Sequence, residues 1–233
     1  MKTEDYLDST YLKTSDQLGI TEDENRNNVE DVINEAIQNS FKLVMIRPKF
    51  VFMAKKMTDN SDVLVGTVID FPIGDGSTEE KLKQAKEVID FGADELDYVC
   101  DYNIFKQKRF VKFDRDIMEG TKIAVEYNKT VKWIIETGAL SKEEIRSITK
   151  RISSIVSENF PEFSERVFIK TSTGYYGGFG ATVKDVKMMK SISGKLPIKA
   201  SGGVSNFLEF EKTVEAGATR IGTSKALNIY LKK

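Results

Sequence analysis

The sequence contains no histidine, so its chemistry has to come from other side chains. Without an imidazole there is no Ser-His-Asp or Cys-His triad, no imidazole acid or base, and no His-ligated zinc. The one cysteine also excludes a disulfide framework and a Cys-rich metal site. Any catalytic group must therefore be Lys, Asp, Glu, Tyr, Ser, Thr or part of the backbone.

The sequence also lacks an excess of charge and a long apolar run. The 35 Lys and Arg residues nearly balance the 36 Asp and Glu residues, whereas a nucleic-acid binder shows a basic face or stripe. No stretch approaches the roughly 18 apolar residues of a membrane span. The charged start of the sequence has no apolar segment of the kind found in targeting signals. We therefore expect a cytoplasmic protein that binds neither nucleic acid nor a membrane.

The length of 233 residues suits one domain of barrel size, spanning residues 1–233, better than two ordinary domains. Eight short and mostly apolar runs alternate along the sequence with longer amphipathic runs. Several of the short runs contain β-branched residues and show no helical period, which is typical of buried parallel strands. The predicted strands are residues 6–12, 43–46, 63–69, 96–100, 131–135, 167–169, 197–200 and 220–222.

The amphipathic runs carry helix-start signals. Thr or Ser precedes Glu by three residues at 21–24, 77–80 and 141–144, which fits capping boxes. Eight strands alternating with about eight helices predict a (β/α)8 barrel, a TIM barrel. A doubly wound open sheet is the alternative, because it alternates in the same way. The predicted helices are residues 22–39, 48–58, 78–91, 113–127, 142–157, 183–193, 206–217 and 224–231.

Two lysines lie at the carboxyl ends of neighbouring predicted strands, where barrels of this kind place their active sites. Lys170 directly follows the sixth run and Lys199 lies near the end of the seventh. Adjacent parallel strands are about 4.8 Å apart, so the two ammonium groups would repel each other and one could lose its proton near neutral pH. A neutral lysine is a nucleophile toward a carbonyl group. The alternative is that both side chains simply reach solvent at the barrel mouth.

Asp97 lies inside an apolar run, where an unpaired carboxylate would be costly. If its side chain points inward, it faces Lys170 or Lys199 across the barrel. It is then either a structural ion-pair partner or a general acid and base beside the amine, and the sequence favours neither. Asp8 and Thr10, in the first run, offer a further carboxylate and hydroxyl, although this segment taken alone is better explained by a turn or a helix cap.

Glycines follow the last two strands. Gly202 and Gly203 come after the seventh strand, and Gly222 precedes Thr223 and Ser224 at the start of the last helix. Glycine lets backbone N–H groups approach an anion, and a helix N-terminus adds a favourable dipole. Because the loops after strands seven and eight often bind phosphate in barrels, these glycines together indicate a phosphate site. Each motif on its own also fits an ordinary turn.

The lysine segments resemble the two lysine motifs of the deoxyribose-phosphate aldolase family of class I aldolases. These segments are residues 169–174, IKTSTG, and residues 198–203, IKASGG. The resemblance extends nearly from end to end of the chain. Its further motifs are 7–10 (LDST), 67–74 (TVIDFPIG), 92–97 (GADELD), 134–137 (IIET) and 215–224 (EAGATRIGTS).

The resemblance implies a (β/α)8 barrel that reversibly cleaves 2-deoxy-D-ribose 5-phosphate to D-glyceraldehyde 3-phosphate and acetaldehyde, a step in deoxyribose catabolism. Lys170 resembles the Schiff-base lysine, Lys199 the second lysine that tunes it, and Asp97 the carboxylate that moves protons through water. This chemistry breaks the C2–C3 bond and requires neither a metal nor a cofactor. The family's pattern also places Asp8 and Thr10 at the pocket, and around the phosphate it places Gly174, Gly202, Gly203, Gly222, Thr223 and Ser224.

Four residues depart from the family pattern or match it loosely. Met45 stands where the family often has Cys, and Tyr175 stands where some members carry a phosphate-contacting Lys. Asp70 replaces a small or amide residue and adds negative charge near the mouth. Tyr230 is the candidate for the family's C-terminal tyrosine.

Two other functions fit the same residues. One is a different Schiff-base aldolase or a transaldolase acting on a longer sugar phosphate. The other is a non-catalytic sugar-phosphate sensor, which would keep the glycines without needing two lysines and Asp97. In each case the partner is a small sugar phosphate, and assembly into a homo-oligomer stays open.

Overall fold

The computed structural model describes residues 2–177 and 180–232. Within these ranges, eight parallel strands pair in sequence order, and the eighth pairs with the first to close a barrel. This confirms the predicted (β/α)8 barrel and excludes the open sheet. The strands are β1 (Leu7–Tyr11), β2 (Leu43–Ile46), β3 (Leu64–Ile69), β4 (Glu95–Val99), β5 (Thr130–Ile134), β6 (Val167–Lys170), β7 (Ile198–Ser201) and β8 (Ala218–Thr223).

The helices surround the barrel and agree with the predicted ranges at most of their ends. They are α1 (Ser15–Leu18), α2 (Glu22–Gln38), α3 (Val51–Met57), α4 (Thr78–Asp90), α5 (Tyr102–Lys106), α6 (Phe110–Glu126), α7 (Lys142–Asn159), α8 (Val183–Ile192), α9 (Phe207–Glu215) and α10 (Ala226–Leu231). The sequence did not predict α1 and α5, because helices of four and five residues are too short to show a hydrophobic period. Across the two described ranges, none of these helices is both long and apolar enough for a bilayer span.

Capping and an apolar stripe explain why the longer helices form where they do. The three predicted capping boxes are present, with Thr21, Ser77 and Ser141 as the capping residues. In α7, buried Ile145, Ile148, Ile152 and Val156 follow the helical repeat. They pack this helix against the barrel while its charged face remains in solvent.

Successive side chains of each strand point alternately toward the helices and into the barrel, so the two faces of the sheet pack differently. Side chains facing the helices form the main apolar core; in that core, Trp133 stacks on Tyr98 with 4.7 Å between ring centroids, and Cys100 is buried. Inside the barrel, Leu43, Met45 and Val68 form a smaller apolar cluster on the β2 and β3 side. On the other side of the interior, from β4 round to β8 and β1, charged side chains predominate, and Phe168 lies beneath Arg220.

Candidate active site

Among the described residues, seven ionisable side chains point into the barrel and contact one another. Each is at most 5% exposed, so water cannot screen their charges. The strand alternation that buries Leu96 and Tyr98 under the helices turns their neighbours inward. The seven residues are Asp8, Glu95, Asp97, Lys132, Lys170, Lys199 and Arg220.

Asp97 lies at the centre of these groups. Its Oδ2 accepts hydrogen bonds from the Nζ atoms of Lys170 and Lys199, each at 2.8 Å. Its Oδ1 accepts one from Lys132 Nζ at 2.7 Å. Burial alone would raise the pKa of the Asp97 carboxyl, but the three ammonium groups hold this pKa well below its usual range. Asp97 is therefore a carboxylate within direct reach of both lysine amines.

Lys170 ends β6 and is 2% exposed. Burial lowers the pKa of its amine, Asp97 raises it, and Lys199 and Lys132 lower it further, with a result of about 8 instead of 10.5. Roughly a tenth of the amine is then neutral at pH 7, since each unit below the pKa is a factor of about ten. A lysine in this state can attack a carbonyl group.

Lys199 is the register partner of Lys170 on the neighbouring strand β7. Its Nζ bridges two carboxylates, at 2.8 Å from Asp97 Oδ2 and 2.7 Å from Asp8 Oδ2. The predicted pairing of two strand-end lysines is therefore present, and neither amine reaches solvent at the mouth. The expected second positive charge beside Lys170 is held in place by two anions.

Three further members of the cluster were not predicted. Arg220 donates from Nε to Asp8 Oδ1 at 2.7 Å and from its terminal nitrogens to the two carboxylate oxygens of Glu95 at 3.1 Å each. Lys132 Nζ lies 2.5 Å from Glu95 Oε2. The sequence does contain a signal for two of them. Lys132 interrupts the apolar fifth run, and Glu95 precedes Asp97 by two residues on the same strand face.

Beside this cluster a cavity of about 570 Å³ opens at the carboxyl ends of β1, β6, β7 and β8. Of the two residues expected at the pocket, Thr10 lines this cavity and Asp8 lies in the charged cluster. All six residues expected around a phosphate also line it. These six are Gly174, Gly202, Gly203, Gly222, Thr223 and Ser224.

Gly222 lines the cavity and also lies next to Lys199 of the charged cluster. A Cβ atom at this position would lie 3.1 Å from Lys199 Cε and would collide with Ser201 Oγ. Real Cβ atoms hardly ever approach neighbours this closely, so a larger residue would displace Lys199 or Ser201. Glycine is thus required here for space beside the lysine.

Gly202 and Gly203 shape the cavity through their backbone instead. Both have left-handed φ angles, +78° and +80°, which glycine adopts at little cost. A Cβ at Gly202 would lie 3.0 Å from the Cα of Gly180, so the loops after β6 and β7 touch here. Gly202 and Gly203 thus bring backbone without side chains to one wall of the cavity.

Glu136 supports that wall, although the IIET motif did not indicate a role for it. It is buried just after β5, and its Oε2 accepts a hydrogen bond from the Thr173 N–H at 3.0 Å. Thr173 Oγ1 in turn accepts from the Tyr175 N–H at 3.0 Å. Burial raises the pKa of Glu136. These contacts fix the loop that carries Gly174 and Tyr175 over the cavity.

The residues that depart from the family pattern have distinct surroundings. Tyr175 lines the cavity and packs edge-on against Phe71, with 5.0 Å between ring centroids. The sequence predicted that Asp70 adds negative charge near the mouth. In the structure this charge is compensated, because Asp70 Oδ2 accepts a hydrogen bond from the Gly76 N–H at 2.9 Å and lies 3.5 Å from Lys81 Nζ.

Tyr230 lies away from the cavity. Its ring packs edge-on against Phe41, with 5.6 Å between ring centroids. Phe41 precedes β2, so this contact is at the amino-terminal end of the barrel. Lys170 and Lys199 lie toward the opposite, carboxyl-terminal ends of their strands. Tyr230 is not among the residues that line the cavity.

Comparison with known proteins gives the same family as the lysine motifs. No protein-family model matches the chain. The deoxyribose-phosphate aldolase of Staphylococcus saprophyticus is 40% identical over 225 residues, which cover 96% of this chain and 93% of the relative. That of Staphylococcus epidermidis is 41% identical over 224 residues, with the same coverage.

A solved structure has the same architecture. The tetrameric deoxyribose phosphate aldolase from Aeropyrum pernix matches with a TM-score of 0.80 at 25% identity, over 98% of this chain and 89% of that one. Identity of about two fifths over nearly the full length of both chains is far above what a shared fold alone produces. The chain therefore belongs to the deoxyribose-phosphate aldolase family.

Proposed function

We propose that this protein reversibly cleaves 2-deoxy-D-ribose 5-phosphate to D-glyceraldehyde 3-phosphate and acetaldehyde through a Schiff base on Lys170. One observation carries the proposal: a buried lysine with a pKa of about 8 shares Asp97 Oδ2 with a second lysine beside a glycine-lined cavity. The staphylococcal relatives bear the name of this activity.

The reaction begins with the neutral amine of Lys170. Its lone pair attacks C1 of the open-chain aldehyde and forms a carbinolamine, which loses water to give an iminium ion. The iminium nitrogen attracts electrons, so the C2–C3 bond breaks and its electron pair becomes the double bond of a two-carbon enamine. The C3 hydroxyl loses its proton and becomes the aldehyde of D-glyceraldehyde 3-phosphate. Protonation of the enamine at C2 and hydrolysis then release acetaldehyde and free Lys170.

Asp97 is the group that moves protons in these steps. In the resting protein three cations hold its pKa low, which makes it a weak base. As the C2–C3 bond breaks, the iminium ion becomes a neutral enamine, so one positive charge beside Asp97 disappears and the basicity of Asp97 rises in the same step. Through a water molecule the carboxylate can then accept the proton of the C3 hydroxyl and return a proton to the enamine.

The phosphate occupies the part of the cavity formed by the last two strand ends. Backbone N–H groups around Gly202, Gly203 and Gly222 suit its oxygens, because glycine permits a close approach. Thr223 and Ser224 add side-chain hydroxyls on the same wall. Lys13 and Lys225 line this cavity as well and supply the positive charge that Tyr175 does not.

The proposal extends to the whole chain as one aldolase domain, residues 1–233. We place it in the cytoplasm as a homo-oligomer acting on a small sugar phosphate. A relative described as tetrameric supports the assembly. Size-exclusion chromatography with light scattering measures the mass of the protein in solution, and a mass equal to one chain would exclude a stable oligomer.

Reductive trapping tests the proposed function. Incubation with acetaldehyde and borohydride should add a two-carbon group at Lys170, located by peptide mass spectrometry. The variant Lys170→Met should lose both the adduct and the cleavage of deoxyribose 5-phosphate. An adduct found mainly on another lysine would refute the assignment, and the absence of any adduct would refute the Schiff-base mechanism.

A further inference from the structure

Six of the seven buried charges form a closed ring in which anions and cations alternate. The links between neighbouring groups are 2.5 to 3.1 Å long. The carboxylates come from β1 and β4, and the cations from β5, β7 and β8. In order round the ring, the members are Asp97, Lys132, Glu95, Arg220, Asp8 and Lys199, which returns to Asp97.

Lys170 is attached to this ring but is not a member of it. Within the described residues, its Nζ forms an ion pair with Asp97 alone, and Asp97 already binds two ring cations. The groups that face Lys170 are Asp97 from β4, Lys132 from β5, Lys199 from β7, and Glu136 from the loop after β5. Three carboxylates balance three cations within the ring, so the ammonium of Lys170 is a fourth, surplus positive charge.

We infer that Glu95 is a positioning residue for the reaction: by balancing Lys132 and Arg220 it keeps the ring neutral, and the charge of the ring sets the pH at which Lys170 gives up its proton. This rests on the proposed function of Lys170 as the nucleophile. Glu95 touches neither Lys170 nor the cavity lining described above. It acts through Lys132, which shares Asp97 with Lys170.

The sign of the effect follows from the charge of the ring. Glu95→Gln keeps the shape of the side chain but leaves the ring with one surplus cation, which favours loss of the Lys170 proton. Lys132→Met leaves the ring with one surplus anion, which favours retention of that proton. A charge a few ångströms away in a buried site shifts a pKa by about one unit or more. The two substitutions therefore act in opposite directions.

The experiment measures the pH at which Lys170 loses its proton in each variant. The pH dependence of kcat/KM for deoxyribose 5-phosphate reports groups of the free enzyme. A second readout is the yield of acetaldehyde adduct on Lys170 after equilibration at each pH and quenching into borohydride at one common pH. We expect the midpoint to move down by about one unit in Glu95→Gln and up by about one unit in Lys132→Met.

Controls separate this effect from loss of stability. Asp116→Asn removes a buried carboxylate that binds Lys81 at 3.0 Å outside the ring, so it should lower the unfolding midpoint without moving the pH midpoint. Lys132→Arg keeps the charge and should stay near the wild-type pH midpoint. If Lys132→Met does not fold, Arg220→Gln removes another ring cation and should also move the midpoint upward.

Shifts in the same direction, or no shift in either charge variant, would overturn the inference. In that case Lys170 would still trap acetaldehyde in the wild-type protein. Failure of the wild-type protein to form the adduct would instead refute the proposed function, so the two failures are distinguishable.

Discussion

Lys170 and Lys199 donate hydrogen bonds to the same oxygen, Oδ2 of Asp97, from adjacent strands and at the same distance of 2.8 Å. One carboxylate oxygen therefore holds two ammonium groups side by side. Lys199 has Asp8 as a second partner, whereas Lys170 forms no second ion pair within residues 2–177 and 180–232. This asymmetry leaves the charge of Lys170 with one carboxylate partner and that of Lys199 with two.

Removal of the positive charge of Lys199 should reduce activity near neutral pH. In Lys199→Leu the pKa of Lys170 is expected to rise from about 8 toward its usual value of 10.5. If the pKa rises by two units, activity at pH 7 falls roughly a hundredfold, and the pH–rate profile moves upward. Lys199→Arg keeps a positive charge in a different shape and should retain more activity.

The alternative for Lys199 is a purely structural role as the bridge between Asp97 and Asp8. Loss of the bridge leaves two buried carboxylates with fewer partners, so the unfolding temperature of Lys199→Leu should fall in either case. The pH–rate profile distinguishes the roles. A lowered unfolding temperature with an unmoved profile would show that Lys199 has no electrostatic effect on Lys170.

Replacement of Lys170 itself should abolish activity while stabilising the fold at neutral pH. Its pKa is about 8 in the folded protein against 10.5 for the ordinary group. The unfolded chain therefore binds the proton more tightly, and burial of the ammonium destabilises the fold by up to about 3 kcal/mol below pH 8. Lys170→Met removes this cost with a side chain of similar length.

The difference in free energy of unfolding between the wild-type protein and Lys170→Met should depend on pH, and this dependence is a sharper test than the size of the difference. The free energy of unfolding of the wild-type protein should rise between pH 8 and about 10.5, because the unfolded state holds more protons there. Lys170→Met lacks this rise, so the two curves should converge toward pH 10.5. Denaturant unfolding of both proteins at pH 7, 9 and 10.5 measures the difference between their free energies of unfolding. A constant difference across this range would contradict the lowered pKa of Lys170.

Gly222→Ala should damage the site without straining the backbone, since Gly222 has no left-handed φ angle. The new methyl group collides with Ser201 Oγ and approaches Lys199 Cε. Displacement of catalytic groups by about 1 Å costs up to roughly a hundredfold in rate, so we expect a clear fall in kcat/KM. The double variant with Ser201→Ala removes the worst contact and should recover part of the activity. Ser201→Ala alone is the matched control. If the double variant is no more active than Gly222→Ala, the clash with Ser201 Oγ is not the cause of the lost activity.

Activity should persist in an excess of EDTA. The iminium ion on Lys170 provides the electron sink that a metal-bound enolate provides in other aldolases, so the proposed steps need no divalent ion. Cleavage of deoxyribose 5-phosphate is measured after dialysis against the chelator. Loss of activity that Mg²⁺ or Zn²⁺ restores would favour a metal-dependent mechanism.

The sequence predicted the barrel because apolar runs and capping boxes are local signals. Lys170, Lys199 and Asp97 were recognisable as charged residues in or directly after such runs. Arg220 was not, because its partner Glu95 is 125 residues away and closure of the barrel brings them together. The position of Tyr230 also depends on tertiary packing, here with Phe41. Local patterns cannot report contacts that only closure of the sheet creates.

The link between Asp8 and Arg220 joins residues that lie 212 positions apart. A chain that ends before β8 contains Asp8 and Glu95 with their lysine partners Lys199 and Lys132, but it lacks the arginine that binds both carboxylates. Burial of these carboxylates in such an intermediate would cost several kcal/mol. Pairing of β8 with both β7 and β1 therefore closes the sheet and completes the charge balance of the barrel interior in the same event.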